Sequence, residues 1–128
     1  MTKVLVIDDD AGIRESLQDM LSLDDYDCRV AGSAQEGLAM AESLQPQLVV
    51  TDIQLPDMSG FQLCQTLKRK SAFRQTPVIM MSGRFTEPQD RLQGFDLGAD
   101  EYFSKPFDPI YFLARIKSIL RISPPVTN

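Results

Sequence analysis

Three consecutive carboxylates, Asp8, Asp9 and Asp10, directly follow the apolar run Val4-Leu5-Val6-Ile7, and a fourth, Asp52, directly follows Leu48-Val49-Val50-Thr51. Ser82 stands in the same relation to Val78-Ile79-Met80-Met81, and Lys105 comes just after Tyr102-Phe103. Carboxylates gathered at one point repel each other and call for a cation. The chain has no histidine, and its two cysteines, Cys28 and Cys64, lie far apart, so an all-oxygen site would select a hard ion, Mg²⁺ or Mn²⁺. Magnesium keeps positions open for water and phosphate oxygens, which suits a phosphoryl group. In such a site Lys105 can pair with one phosphoryl oxygen, the Ser82 hydroxyl can bind another, and Asp52 is the carboxylate placed to attack phosphorus.

Each residue taken alone has a plainer use. Asp10 reads as a helix N-cap rather than a ligand, a single Asp at a strand end as a turn residue, and Lys105-Pro106 as a surface turn. The joint pattern carries the weight, because ligands of an open parallel sheet bind outside the carboxyl ends of its strands.

The elements that must position these groups follow from the apolar rhythm. Short unbroken runs alternate with longer stretches of helical period, which predicts five βα units around a parallel sheet. The strands are Val4–Ile7, a weaker Cys28–Ala31, Leu48–Thr51, Val78–Met81 and a short Tyr102-Phe103. Asp10 caps a first helix with Ile13, Leu17, Met20 and Leu21 on one face, Ser33 with Glu36 forms a capping box for a second, and Ser59 caps a third. Thr86 with Gln89 repeats the box for a fourth helix ending at Gly98. Asp108-Pro109 opens a fifth, which is expected to bury Leu113, Ile116 and Leu120.

Composition narrows the class. A chain of 128 residues, 43% hydrophobic, suffices for one domain with a single core. Thirteen Lys and Arg against 18 Asp and Glu give a net charge of −5, which argues against direct binding of nucleic acid or an anionic membrane by this domain. Cys28 and Cys64 read as reduced, buried thiols, and no apolar stretch approaches the roughly 18 residues of a membrane span. A cytoplasmic protein is expected, with residues 1–122 as the domain and 123–128, containing Pro124-Pro125, as a tail or the start of a linker.

The residues Val4 through Asp10, the stretch Asp52-Ile53-Gln54-Leu55-Pro56-Asp57-Met58-Ser59-Gly60, then Met81-Ser82-Gly83, and Gly98 through Phe107 together resemble the receiver domains of bacterial two-component response regulators. The resemblance runs from Lys3 to about Ile122. It implies a flavodoxin-like α/β fold with strand order 2-1-3-4-5. It also implies that Asp52 is the phosphoacceptor, that Asp9 and Asp52 bind Mg²⁺ directly, that Asp8 helps through water, and that the backbone carbonyl of Gln54 completes the site. Lys105 would pair with the phosphoryl group, Ser82 would be a switch hydroxyl, Tyr102 a ring that turns inward as Ser82 moves, and Gln54 and Arg84 would set the lifetime of the acyl phosphate. The phosphoryl group would come from a sensor histidine kinase, a phosphotransfer protein or a small phosphodonor, making the chain a self-modifying switch rather than a turnover enzyme. Dimerisation through the fourth helix, fifth strand and fifth helix is a further implication. Asp96, Asp100, Arg115 and Lys117 fit its ion pairs, whereas Gln93 and Tyr111 replace another.

Two other readings compete. An aspartate-nucleophile phosphatase of the haloacid dehalogenase type uses the same residue types, but it resembles a DxD pattern with a general acid two residues on, where this chain has Gln54. A pseudo-receiver serving only as an interaction module would lack one or more of the required residues, and none is missing here.

Overall fold

The computed structural model describes residues 1–84 and 87–122. Five strands, β1 (Thr2–Ile7), β2 (Tyr26–Ala31), β3 (Leu48–Asp52), β4 (Val78–Ser82) and β5 (Glu101–Ser104), form one sheet in the order β2-β1-β3-β4-β5. Every pairing is parallel. Between and after the strands run α1 (Ala11–Leu23), α2 (Ala34–Leu44), α3 (Gly60–Arg69), α4 (Pro88–Asp96) and α5 (Pro109–Ile122). This is the predicted flavodoxin-like arrangement, with every strand longer at one or both ends than the apolar run that marked it.

Alternation along the strands sorts the core into two layers. Leu5 and Ile7 face α2 and α3 with Val49, Leu63, Leu67 and Met80, while Val4 and Val6 face α1 and α5 with Val50, Leu17, Leu21 and Ile116. All residues of β3 and β4 are buried, so burial on both faces explains their unbroken apolar sequence. Complete removal of a side chain such as Leu5 from water contributes about 2 kcal/mol.

Most helix starts are those read from the sequence. Asp10 Oδ1 accepts from Gly12 and Ile13, Ser33 Oγ from Glu36, Ser59 Oγ from Gln62, and Asp108 Oδ1 from Ile110. Gly98, at φ +107°, is the left-handed residue after α4. Two expectations are corrected. The N-cap of α4 is Glu87, whose N–H donates to Asp90 at 3.0 Å, and Pro88 occupies the first helical position; Thr86 lies outside the described residues. The buried stripe of α5 is Phe112, Ile116 and Ile119, with Leu113 and Leu120 only half-buried, because Phe112 stacks on Phe107 and meets Phe103 edge-on, which sets the rotation of the helix. Residues 123–128, read as a tail or linker, lie outside the described residues.

Both cysteines are buried and free, and burial pushes each thiol up to about 11, so they stay protonated and inert. Among the described residues no helix is long and apolar enough to cross a membrane.

Candidate functional site

The registers Ile7 to Thr51 and Asp52 to Met81 bring the carboxyl ends of β1, β3 and β4 level. Asp8 and Asp9 step off β1 where Asp52 ends β3. Carboxylate oxygens of Asp8, Asp9 and Asp52 lie within 4.8 Å of one another. Asp8 and Asp52 are buried and Asp9 is exposed, so the cluster has a dry floor and an open rim.

The floor is held firmly. Asp8 N–H donates to the Ala31 carbonyl at 3.1 Å, its carbonyl accepts from Arg14 Nη1 at 2.8 Å, and its Oδ1 accepts from Asp10 N–H at 2.9 Å. Lys105 reaches in from beyond β5, with its ammonium 2.8 Å from Asp8 Oδ2 and 3.2 Å from Asp52 Oδ2. Asp52 Oδ1 accepts from the Gln54 N–H at 3.3 Å, which wraps the following loop around the carboxylate. That loop turns back sharply: Gly60 N–H donates to the Ile53 carbonyl at 2.7 Å, and a Cβ on Gly60 would lie 2.4 Å from the Asp52 carbonyl oxygen. Only glycine allows α3 to begin so close to the end of β3.

The charges are strongly coupled. Burial raises the pKa of Asp52 above the ordinary carboxylate value, the Asp8 charge adds to the rise, and Lys105 opposes both. Burial works against the Lys105 ammonium, but its bonds to Asp8 and Asp52 outweigh this, and its pKa is raised. Three convergent carboxylates, all oxygen donors, with the thiols protonated elsewhere and no imidazole in the chain, fit a hard divalent cation.

Ser82 ends β4, fully buried, and its Oγ accepts from the Arg84 N–H at 3.1 Å. Its carbonyl accepts from Lys105 N–H at 2.8 Å, so the switch candidate and the lysine share one backbone bond. Gln54 and Arg84 are exposed on the two loops beside the cluster. Tyr102 is not at the rim. It is buried in the layer beneath α4, with burial pushing its hydroxyl up to about 12 and the Asp90 charge adding to the effect.

The dimer-face residues divide. Asp96 and Lys117 are exposed, as are Gln93 and Tyr111. Arg115 is engaged within the chain, its Nε 2.8 Å from Glu101 Oε2, and Asp100 turns toward the start of β4, accepting from Val78 N–H at 2.8 Å with Lys68 3.6 Å away.

Three residues of the site went unnoticed in the sequence. Arg14 holds the Asp8 carbonyl. Asp57 accepts from the N–H groups of Ala34 and Gln35 at 2.9 and 2.8 Å. Arg91 bridges α4 to β5. A single Asp after Pro, or an Arg on a helix, carries no signal for contacts made outside its own element.

A parallel sheet of this order with an acidic cluster and a lysine at its carboxyl edge defines a receiver domain, and comparison with known proteins agrees. Residues 4–117 match the family described as response regulator receiver domain, and the chain belongs to it. It is 40% identical over 121 residues to the DNA-binding dual master transcriptional regulator RpaA of Synechocystis sp., covering 94% of this chain and 50% of that protein. Among solved structures it is similar to the non-phosphorylated HemR receiver domain from Leptospira biflexa (TM-score 0.88, 31% identity, 99% of this chain and 100% of that one). It is also similar to the chemotaxis response regulator CheY4 of Vibrio cholerae (TM-score 0.87, 28% identity, 93% and 98% covered). The chain spans about half the length of the curated relatives it matches.

Proposed function

We propose that this receiver domain accepts a phosphoryl group on Asp52 in a Mg²⁺-dependent reaction and relays the modification to the face formed by α4, β5 and α5. The observation that carries the reading is the convergence of Asp8, Asp9 and Asp52 within 4.8 Å, with the Lys105 ammonium bridging Asp8 and Asp52. Asp9 and Asp52, with the backbone carbonyl of Gln54, would hold the metal, and Asp8 would act through water. Bound Mg²⁺ would neutralise charge on the phosphoryl oxygens.

The residues of the chain do the rest. A carboxylate oxygen of Asp52 attacks phosphorus of a phosphohistidine, the P–N bond breaks, and the imidazole leaves and takes its proton from water. Lys105 exchanges its Asp52 contact for a phosphoryl oxygen while keeping Asp8. Ser82 turns its hydroxyl to another phosphoryl oxygen, the Tyr102 ring, already buried beneath α4, shifts further toward the space Ser82 leaves, and Gln54 and Arg84 govern access of the water that later hydrolyses the acyl phosphate. Inverting a 1:99 population of active and inactive forms takes about 5.5 kcal/mol, to be supplied by Ser82 and Lys105 contacts made only in the active form.

The partner upstream is a sensor histidine kinase or phosphotransfer protein. The regulator names of the relatives support transcriptional control through a region outside this domain, and Leu92, Phe95, Ile110 and Tyr111, exposed on α4 and α5, suit a homodimer contact formed on phosphorylation. Incubation with Mg²⁺ and phosphoramidate followed by intact-mass measurement tests the reading. An adduct of one phosphoryl group on the wild type, absent without Mg²⁺ and absent in Asp52→Asn, is expected; an adduct retained by Asp52→Asn overturns it.

A further inference from the structure

We propose that Asp57 is a positioning residue for the acceptor site, holding the loop that carries Gln54 against the start of α2 and thereby setting the affinity for Mg²⁺. The inference rests on the reading of the acidic cluster as a Mg²⁺-dependent acceptor.

A helix leaves its first N–H groups without partners inside the helix, and these act as a fixed positive end. In α2 the first three are satisfied from two places. Ser33 Oγ, local to the helix, accepts from Glu36 N–H at 3.1 Å. The other two, from Ala34 and Gln35, are taken by the two oxygens of Asp57, 23 and 22 residues away, at 2.9 and 2.8 Å. These two backbone donors hold the Asp57 carboxyl below its ordinary value although the side chain is exposed, so the carboxylate is ionised and oriented.

Both ends of this tether lead to the cluster. On one side, Ala34 follows Ala31-Gly32-Ser33, and the Ala31 carbonyl receives the Asp8 N–H. On the other, Asp57 follows Gln54-Leu55-Pro56, and the Gln54 N–H donates to Asp52 Oδ1 at 3.3 Å. Besides their direct pairing in the sheet, the halves of the site built on β1 and β3 are thus linked through Lys105 inside the cluster and, by way of the end of β2 and the start of α2, through Asp57 behind it. The loop is also held at its far end, where Gly60 N–H bonds the Ile53 carbonyl at 2.7 Å, and by Leu55 and Met58, which pack on the core, but apolar packing is non-directional and neither contact hydrogen-bonds the apex to α2. Asp57 does so without touching the cluster. Mg²⁺ demands near-ideal placement of its oxygens, so freedom at the apex weakens binding without removing any ligand.

The test is a Mg²⁺ titration of the 128-residue chain, followed by amide NMR or calorimetry, for wild type, Asp57→Ala and Ser33→Ala. Ser33→Ala removes a cap from the same helix end and leaves the loop alone. Asp57→Ala is expected to weaken Mg²⁺ binding roughly tenfold, at the low end of what losing a group that orients a ligand costs, with Ser33→Ala at the wild-type value. Equal weakening in both variants would assign Asp57 to helix stability only and overturn the proposal, as would wild-type affinity in Asp57→Ala. If Asp57→Ala does not fold, Asp57→Asn, which keeps one acceptor oxygen, carries the same comparison. A wild type that binds no Mg²⁺ overturns the acceptor-site reading itself and this inference with it.

Discussion

Lys105 Nζ and Asp8 Oδ2 stand 2.8 Å apart although 97 residues separate them in the chain, and the same ammonium serves Asp52 at 3.2 Å. One lysine therefore compensates two buried carboxylates. Removing one partner of a buried ion pair leaves the other charge uncompensated, which costs about 3 kcal/mol. Lys105→Ala should lose about that much in urea unfolding in the presence of a chelator, and Mg²⁺ should restore more stability to the variant than to wild type. Equal stability of the two proteins in chelator would show that another group balances Asp8.

Asp52→Asn should stabilise the protein, with a defined pH dependence. Burial raises the folded-state pKa of Asp52 above the ordinary 3.8, so the unfolded chain ionises first and folding is penalised once the group is charged. The stability attached to Asp52 is present below 3.8 and is lost as pH rises through the raised folded value. The advantage of Asp52→Asn over wild type should therefore grow across that acid window and stay constant above it, measured by urea unfolding at a series of pH values in chelator. A pH-independent difference would contradict this account.

Gly60→Ala should damage both fold and site. Its Cβ would lie 2.4 Å from the Asp52 carbonyl oxygen and 2.8 Å from Ile53 Cα, and both are backbone atoms that cannot swing away. Overpacking of this kind costs about 1 to 3 kcal/mol, visible as a lower denaturation midpoint, and the displaced end of β3 should slow phosphorylation by phosphoramidate. A variant with both properties of wild type would mean that α3 shifts without cost.

What could be read from the sequence was what depends on local order. The strand runs, the residues that end them, and the caps Asp10, Ser33, Ser59 and Asp108 each act within a few positions of themselves. In α5 the successive apolar residues Ile110, Tyr111, Phe112 and Leu113 fit more than one helical phase, and the packing of the Phe112 ring on Phe103 and Phe107 across elements chooses between them. At the start of α4, Thr86 with Gln89 and Glu87 with Asp90 offer capping frames one residue apart, and the structure selects the one that puts Pro88 first. Asp57, Arg14 and Arg91 act through tertiary contacts alone, for which a single sequence has no periodicity to read.

Arg91 bears on how a change at the acceptor could leave the site. Gly94 is the one buried residue of α4, so the helix has little apolar anchorage of its own. Arg91 supplies a polar one: Nη1 donates to the Tyr102 carbonyl at 3.1 Å, Nη2 to Ser104 Oγ at 2.9 Å, and the guanidinium carbon lies 5.4 Å from the centre of the Tyr102 ring. Ser104 adjoins Lys105, so movement of α4 and movement of the lysine share one peptide link. A planar guanidinium can serve both acceptors and the ring at once, whereas a lysine ammonium cannot. Arg91→Lys should therefore behave like Arg91→Ala, each lowering the opening free energy of α4 by about 1 kcal/mol in amide hydrogen exchange and leaving β1 and β3 at wild-type protection. Wild-type exchange in Arg91→Lys would reduce the contact to simple charge, and unchanged exchange in Arg91→Ala would show that α4 is held by its packing against Tyr102 and Met80.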